Sequence, residues 1–359
     1  MSSVKYTIVA LLCLFQLIGH CQSSDAATRA DSPAPGVDQV TALKSMSSAY
    51  MKVRSQAINP NTKTIPATKQ KELDGMVSNM KAIGAGSYEY NLAAYLNNGK
   101  TVAAFPLLEA AALAYPDNPD LYGHFLYHYE LTNDKANRSV YSQKIDKSNS
   151  ISSGVMEYNY NVLVSVEQGG ILFTNGTIDT HPLFIWQDVK NVRKDITIIN
   201  VDMLHDQDYL DTKSKEAGIK IKMQNSNYDI LKWIIKNNGS KSMYLGHTIS
   251  RDVLKEFKSK LYLSGLTYRY STNPINNVQD AVSTFEDSFK KIQLNRPQIN
   301  KEVKSLNANY ILPLVTVLAY YKENEKTSEY QSTRKLLLKI AKEAGKETQT
   351  TQYLTQHNL

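Results

Sequence analysis

The segment ILFTNGTIDTHPLFIWQDVKNVRKDITIINVDML, residues 171–204, decides the reading of the chain. ILFTN (171–175) is a short apolar run behind Gly169-Gly170, as a buried strand requires. Asn175-Gly176 then supplies a turn. THPLFIWQDVKNV (180–192) has helical periodicity, with Thr180 as N-cap and Pro182 near the first turn. DITIINVDML (195–204) is rich in β-branched residues and reads as a second strand. Strand, helix, strand within 34 residues is the unit of a parallel sheet.

The alternation continues on both sides. GVMEYNYNVLVSVEQGG reads as a helix ended by Gly169-Gly170. QDYLDTKSKEAG and NYDILKWIIKNNG read as helices stopped by Gly218 and Gly239. SMYLGHTI is a third strand, RDVLKEFKSK a helix and LYLSGLTYRYS a last strand. Residues 153–275 are therefore expected to form a small, mainly parallel sheet covered by helices.

Residues 38–152 and 276–345 carry helical signals only. Pro60 and Pro66 break the first pair of helices, and a train of short amphipathic segments follows. Ala104, Ala111 and Ala112 permit close helix approach, Tyr115-Pro116-Asp117-Asn118-Pro119 stops one helix and starts the next, and Asn133-Asp134 makes a tight turn. These segments resemble degenerate tetratricopeptide repeats without the signature tryptophan; about two units are expected, with Phe105, Tyr115, Phe125 and Tyr127 in the core. A similar hairpin is read at 306–342, with its turn at 323–326, and residues 346–359 as a frayed tail. The expected class is α/β with all-α flanks.

The start of the chain sets the expected compartment. MSSVKY carries one lysine, TIVALLCLFQLIG is apolar, and HCQSSDAATRADSPAPG is small and polar, the three-part pattern of a signal peptide. Residues 1–21 are read as that signal and 22–37 as a flexible tether. Ile18-Gly19-His20-Cys21 resembles a lipoprotein cleavage site with Cys21 as the lipidation candidate, although His20 departs from it. Ordinary cleavage before Gln22 is the alternative. Export to the periplasm or outer membrane of a Gram-negative cell is expected. The only cysteines are Cys13 and Cys21, so a mature chain would hold no disulfide, thiolate nucleophile or cysteine metal site.

With 359 residues, 42% hydrophobic and 21% charged, the chain can bury a sizeable core. The net charge of +7 is spread out, without the like-charge run of a nucleic-acid arm. No later apolar stretch is long enough to span a bilayer. No Walker, dinucleotide or G-x-S-x-G fingerprint occurs, and no cofactor is implied. His124 and His128 lie four apart in HFLYH but lack a zincin acid, so no metal site is expected. What remains is a set of polar groups at strand ends. Asn175 and Asp179 follow the first strand, Asn200, Asp202 and His205 the second, and His247 and Arg251 the third. Ligands of open α/β sheets bind there. Asn175, Asp179, Asn200, Asp202 and His247 are the ligand-binding candidates; Asp179 and Thr180 also have the chemistry of helix caps, and no residue is assigned a catalytic role.

At 170–215 the phrase resembles the soluble C-terminal region of bacterial protein O-mannosyltransferase-like (transmembrane protein 260-like) membrane proteins. Asn175-Gly176, Asp179-Thr180, Pro182-Leu183, Val192-Arg193, Asp195 and Asn200 match, as does Gly265-Leu266 with Tyr268-Arg269. The resemblance covers about 155–345. Thr177 stands where that group has a carboxylate, and its multi-helix membrane part is absent. The resemblance implies the accessory domain of a glycan-transfer system, without the transferase. The expected function is an exported, non-catalytic envelope protein that binds or assembles a protein or glycan partner, with an outer-membrane complex among the candidate partners. The alternative is a carbohydrate-active or phosphate-binding enzyme using the strand-end cluster.

Overall fold

The computed structural model describes residues 39–59 and 64–359. The leader 1–21 with Cys21, and the tether 22–37, lie outside the described residues. The chain divides into two compact units, one holding residues 39–150 with 205–212, the other 151–204 with 213–359.

The N-terminal unit is helical: α1 (Gln39–Ala57), α2 (Ala67–Gly84), α3 (Tyr88–Asn97), α4 (Phe105–Ala114), α5 (Pro119–Leu131) and α6 (Lys135–Ser148). Successive helices pack as three pairs around Tyr50, Leu73, Met80, Tyr95 and Leu108, all fully buried. The caps follow the sequence. Asn118 precedes the N1 proline and accepts from Asp120 N at 3.1 Å, and Asp134 accepts from Asn137 N at 3.0 Å. Asn133 takes positive φ between α5 and α6. Glu130 and Arg138 clasp these two helices through a buried ion pair of 2.6 Å. Phe125 and Tyr127 are core as expected, whereas Phe105 is half-buried and Tyr115 is exposed. His128 stacks on Phe105 and His124 meets Tyr95 edge-on, so the two histidines are packing residues.

The C-terminal unit is α/β with helical flanks. Its strands are β1 (Ile171–Thr174), β2 (Thr197–Asn200), β3 (Met243–Gly246), β4 (Leu261–Ser264) and β5 (Thr267–Tyr270), in the order β2-β1-β3-β5-β4. β1 is parallel to β2 and β3, while β5 is antiparallel to β3 and to β4. The segment 261–271, expected as one strand, is thus a hairpin. Its turn is Gly265-Leu266, with positive φ (+52°) only at the glycine, the pattern of a type II′ turn. A Cβ at Gly265 would stand 2.2 Å from Ser165 Oγ, and Leu266 N donates to that same oxygen at 2.8 Å.

The helices of this unit are α7 (Ser153–Val164), α8 (Thr177–Phe184), α9 (Gln207–Ala217, shared with the other unit), α10 (Asn227–Asn237), α11 (Arg251–Glu256), α12 (Val278–Ser283), α13 (Ile292–Asn295), α14 (Lys301–Asn307), α15 (Ile311–Glu323), α16 (Thr327–Glu343) and α17 (Glu347–Gln356). α7 is the organising element. Buried Asn161 accepts from Lys290 N and donates to the Tyr310 hydroxyl at 2.7 Å. Buried Glu157 accepts from the N–H groups of Gln293 and Leu294 at 2.9 and 2.8 Å, capping α13 from a distance. The expected frayed tail is instead helix α17, whose Tyr353 and Leu354 are buried. No helix among the described residues is long and apolar enough to cross a membrane.

Candidate functional site at the strand carboxyl ends

β1 runs between β2 and β3. The crossover through α8 carries the chain to one side of β1, and β3 lies on the other. The gap between β1 and β3 is therefore the topological switch point, where the loops leaving the sheet diverge.

The loop after β1 is built differently from its sequence reading. α8 starts at Thr177, not at Thr180, with Gly176 at the N-cap and no side-chain cap. Gly176 has φ +85°, which favours glycine, and a Cβ there would lie 3.5 Å from Asp202 Oδ2. Thr180 sits inside the helix: its hydroxyl donates to Gly176 O at 2.6 Å and meets Thr174 Oγ1 at 2.7 Å. Asp179 reaches back from the first turn to accept from Asn175 N at 3.3 Å. Pro182 lies within α8 and has no N–H to offer the carbonyl of Ile178. Asn159 of α7 replaces that donor at 3.1 Å. The helix then widens into a π-turn over Ile185–Val189.

Four predicted residues, Asn175, Asp179, Asn200 and Asp202, converge here, and the fifth, His247, adjoins Thr248 of the same cluster. Asp179, only 6% exposed, also accepts from the Thr248 hydroxyl in the loop after β3. Asn175 Nδ2 donates to Thr248 O at 2.8 Å, bridging the switch point. The Tyr228 hydroxyl donates to Asn175 Oδ1 at 3.1 Å. Asn200, fully buried, accepts from Gly176 N at 3.4 Å and from Asp202 N at 3.0 Å. Asn227 Nδ2 donates to the Asp202 carbonyl at 3.2 Å. His247 lies flat on Tyr268, 4.4 Å between ring centroids. Its Nε2 is buried without a hydrogen-bond partner, and the residue as a whole is half-buried. His205 is not part of the site: it is exposed and belongs with the N-terminal unit. Arg251 is exposed at the start of α11.

Burial sets the protonation states. Desolvation pushes His247 down to about 3, so the imidazole is neutral. Desolvation first, then the carboxylates of Asp202 and Asp179, raise the Tyr228 phenol, which stays protonated and donates. The site combines two carboxylates with neutral amides, hydroxyls and an imidazole. Such a set hydrogen-bonds to neutral hydroxyl-bearing groups and disfavours anions. Among the described residues no three His, Cys, Asp or Glu side chains are placed to hold a metal ion. Thr248, Tyr228 and Asn159 escaped the sequence reading. Thr248 could have been found, since it follows His247 at a strand end; Tyr228 and Asn159 sit on helices and carry no local mark.

The other matched phrase, Val192-Arg193 with Asp195, lies at the opposite ends of the strands. Arg193 has positive φ and a forked contact to Asp195 at 3.0 and 2.9 Å. It also donates to the carbonyls of Leu163, Val166 and Glu167 at 3.2, 2.8 and 3.0 Å. Asp195 in turn accepts from Gly169 N at 3.0 Å. This motif closes the C-terminus of α7.

The C-terminal unit is thus an open α/β domain with a polar cluster at its switch point. The family model for TMEM260-associated domain 2 matches residues 155–357, from α7 to α17, and the chain belongs to that family. No curated protein and no solved structure matches the chain.

Proposed function

We propose that the protein is an exported, non-catalytic binding and assembly module of the cell envelope, engaging a protein or glycan partner. The observation that carries this reading is the position of Asp179. A general acid or nucleophile must reach a substrate. Asp179 is buried and bonded to Asn175 N and the Thr248 hydroxyl, tying two strand-end loops together. The half-buried rim of Asn175, His247 and Thr248, with the Asp202 carboxylate, offers donors and acceptors suited to sugar hydroxyls. The N-terminal helix pairs resemble tetratricopeptide repeats in sequence and would supply peptide-binding surface. The resemblance to O-mannosyltransferase-like proteins supports a role beside glycan transfer. The leader pattern supports export, and N-terminal mass spectrometry of the mature chain should find Cys21 or Gln22 first.

The test compares wild type with Asp179→Asn. Both are assayed for turnover of sugar phosphates and aryl glycosides, and for partners trapped by cross-linking in intact envelopes. The expected result is no turnover by either protein and the same cross-linked partner for both. Turnover by wild type that Asp179→Asn abolishes would overturn the proposal.

A further inference from the structure

The loop between α12 and α14 is held firmly yet displays apolar side chains. Ile299 is 92% exposed and Ile292 64% exposed. Glu157 fixes the N–H groups of Gln293 and Leu294. Glu343 accepts from Gln298 N at 3.2 Å, and the Gln298 amide donates to the carbonyls of Gln293 and Arg296. Lys339 Nζ binds the carbonyls of Leu294 and Arg296, and Leu294 is buried beneath. The isoleucines are therefore presented by an ordered backbone, and water is a poor partner for them.

The charge around them is one-sided. Residues 290–304 contain Lys290, Lys291, Arg296, Lys301 and Lys304 against Glu302 alone, a net +4 of the whole chain's +7. Asp287 stands on the flank. Glu286 is engaged by Tyr321 at 2.8 Å and Lys326 at 3.6 Å. Lys291 is turned inward onto the carbonyls of Phe285 and Glu286, which leaves Lys290, Arg296 and Lys301 exposed. Lys290 lies over the half-buried rings of Tyr160 and Trp186, at 4.2 and 4.3 Å. Apolar tips among cations, beside a tryptophan and a tyrosine, are the composition of a membrane-interface contact. A protein partner would be matched by shape; a bilayer needs only exposed apolar groups and opposite charge.

We propose that this loop docks on an anionic lipid surface. Ile292 and Ile299 enter the headgroup boundary, and Lys290, Arg296 and Lys301 meet the lipid phosphates. The contact is peripheral and independent of the strand-end site.

The test is co-sedimentation of the full chain with vesicles of phosphatidylcholine, alone or in equal mixture with phosphatidylglycerol. Binding to the anionic vesicles is expected, falling in high salt. The pair Ile292→Ser and Ile299→Ser should weaken it roughly tenfold. Arg296→Gln with Lys301→Gln should weaken it by about fivefold per charge, on anionic vesicles only. Both variants alter exposed side chains, and unchanged thermal melts establish that they fold. The ratio of variant to wild type is the readout, so any binding by residues 1–38 cancels. A ratio of one would overturn the proposal. So would loss of a concentration-dependent dimer in the isoleucine variant without a change on vesicles, because the patch would then join two copies of the chain.

Discussion

The two ends of the parallel strands are built on opposite principles. At the amino ends, formal charges neutralise one another: Arg193 with Asp195, and Arg269 with Glu167 at 2.8 Å, with Ser242 also donating to Glu167. At the carboxyl ends, neutral groups take the place of cations: the Asp179 carboxylate meets a backbone N–H and a hydroxyl, and the Asn175 amide bonds to Tyr228 and Thr248. The first arrangement is a staple, saturated within itself. The second is less complete: His247 Nε2 is buried there without a hydrogen-bond partner. One 34-residue segment thus supplies a charge-paired staple at one end of the strands and a polar cluster at the other.

The largest effect is expected at the staple. Arg193→Ala removes the partner of Asp195 and the donors to Leu163, Val166 and Glu167, whose carbonyls close α7. A loss of about 3 kcal/mol is expected. Arg193→Lys should recover little, since an ammonium cannot reproduce the fork. Thermal melts check both, with a fall in Tm of roughly 8 °C expected for Arg193→Ala. A melt unchanged by Arg193→Ala would remove the distinction between the two ends.

Next comes Asp179→Ala. It leaves Asn175 N and the Thr248 hydroxyl without their acceptor in a buried setting, and about 2 kcal/mol should be lost. That exceeds what an exposed cap would contribute, because the carboxylate joins two loops. Chemical denaturation measures the loss. A change under about 0.5 kcal/mol would mean that the switch point is held by other contacts.

The sequence showed the three parallel strands because each is a short apolar run beside glycine or polar turns. It blurred the hairpin, because Leu261–Ser264 and Thr267–Tyr270 are only four residues each and a lone Gly265 between them carries no second turn residue to separate them. It misplaced the start of α8, because Asp179 and Thr180 have the chemistry of caps at any helix start. Only the fold shows that Gly176 already occupies that place and that Thr180 bonds backward. The meeting of Asn175, Asp179, Asn200 and Asp202 follows from strand-end positions, whereas His205 and Arg251, expected at the same edge by the same argument, are exposed and stay outside the cluster. Tyr228 and Thr248 were not legible, since their contribution depends on which loops the 2-1-3 strand order brings together.

Acid separates the two ends further. His247 is held neutral, its pKa down at about 3 against an ordinary 6.5. The unfolded chain takes up a proton below pH 6.5 and the folded chain does not, so stability is complete above that pH and declines as pH falls towards 3. About 1 kcal/mol is expected between pH 6.5 and 5. His247→Gln should flatten this slope in denaturation curves. A slope equal to wild type would show that the imidazole is protonated in the folded protein.

The smallest effect is the acid response of the staple; like that of His247 it is a loss of stability as pH falls, but in a lower window. The Arg193 guanidinium, with help from Gly169 N, lowers Asp195 to about 2 from an ordinary 3.8. Asp195 therefore contributes its stability fully above pH 3.8, and loses it only as pH falls through about 2. Its side chain is 31% exposed, so solvent screening holds the contribution to about 1 kcal/mol. Asp195→Asn should cost that amount at neutral pH and nothing near pH 2, whereas the His247 slope should already be spent by pH 3. Denaturation of wild type and both variants from pH 7 to pH 2 tests the pair. If Asp195→Asn is as stable as wild type at neutral pH, Arg193 closes α7 through its carbonyl contacts alone, and the charge contrast between the two ends of the sheet is not what stabilises them.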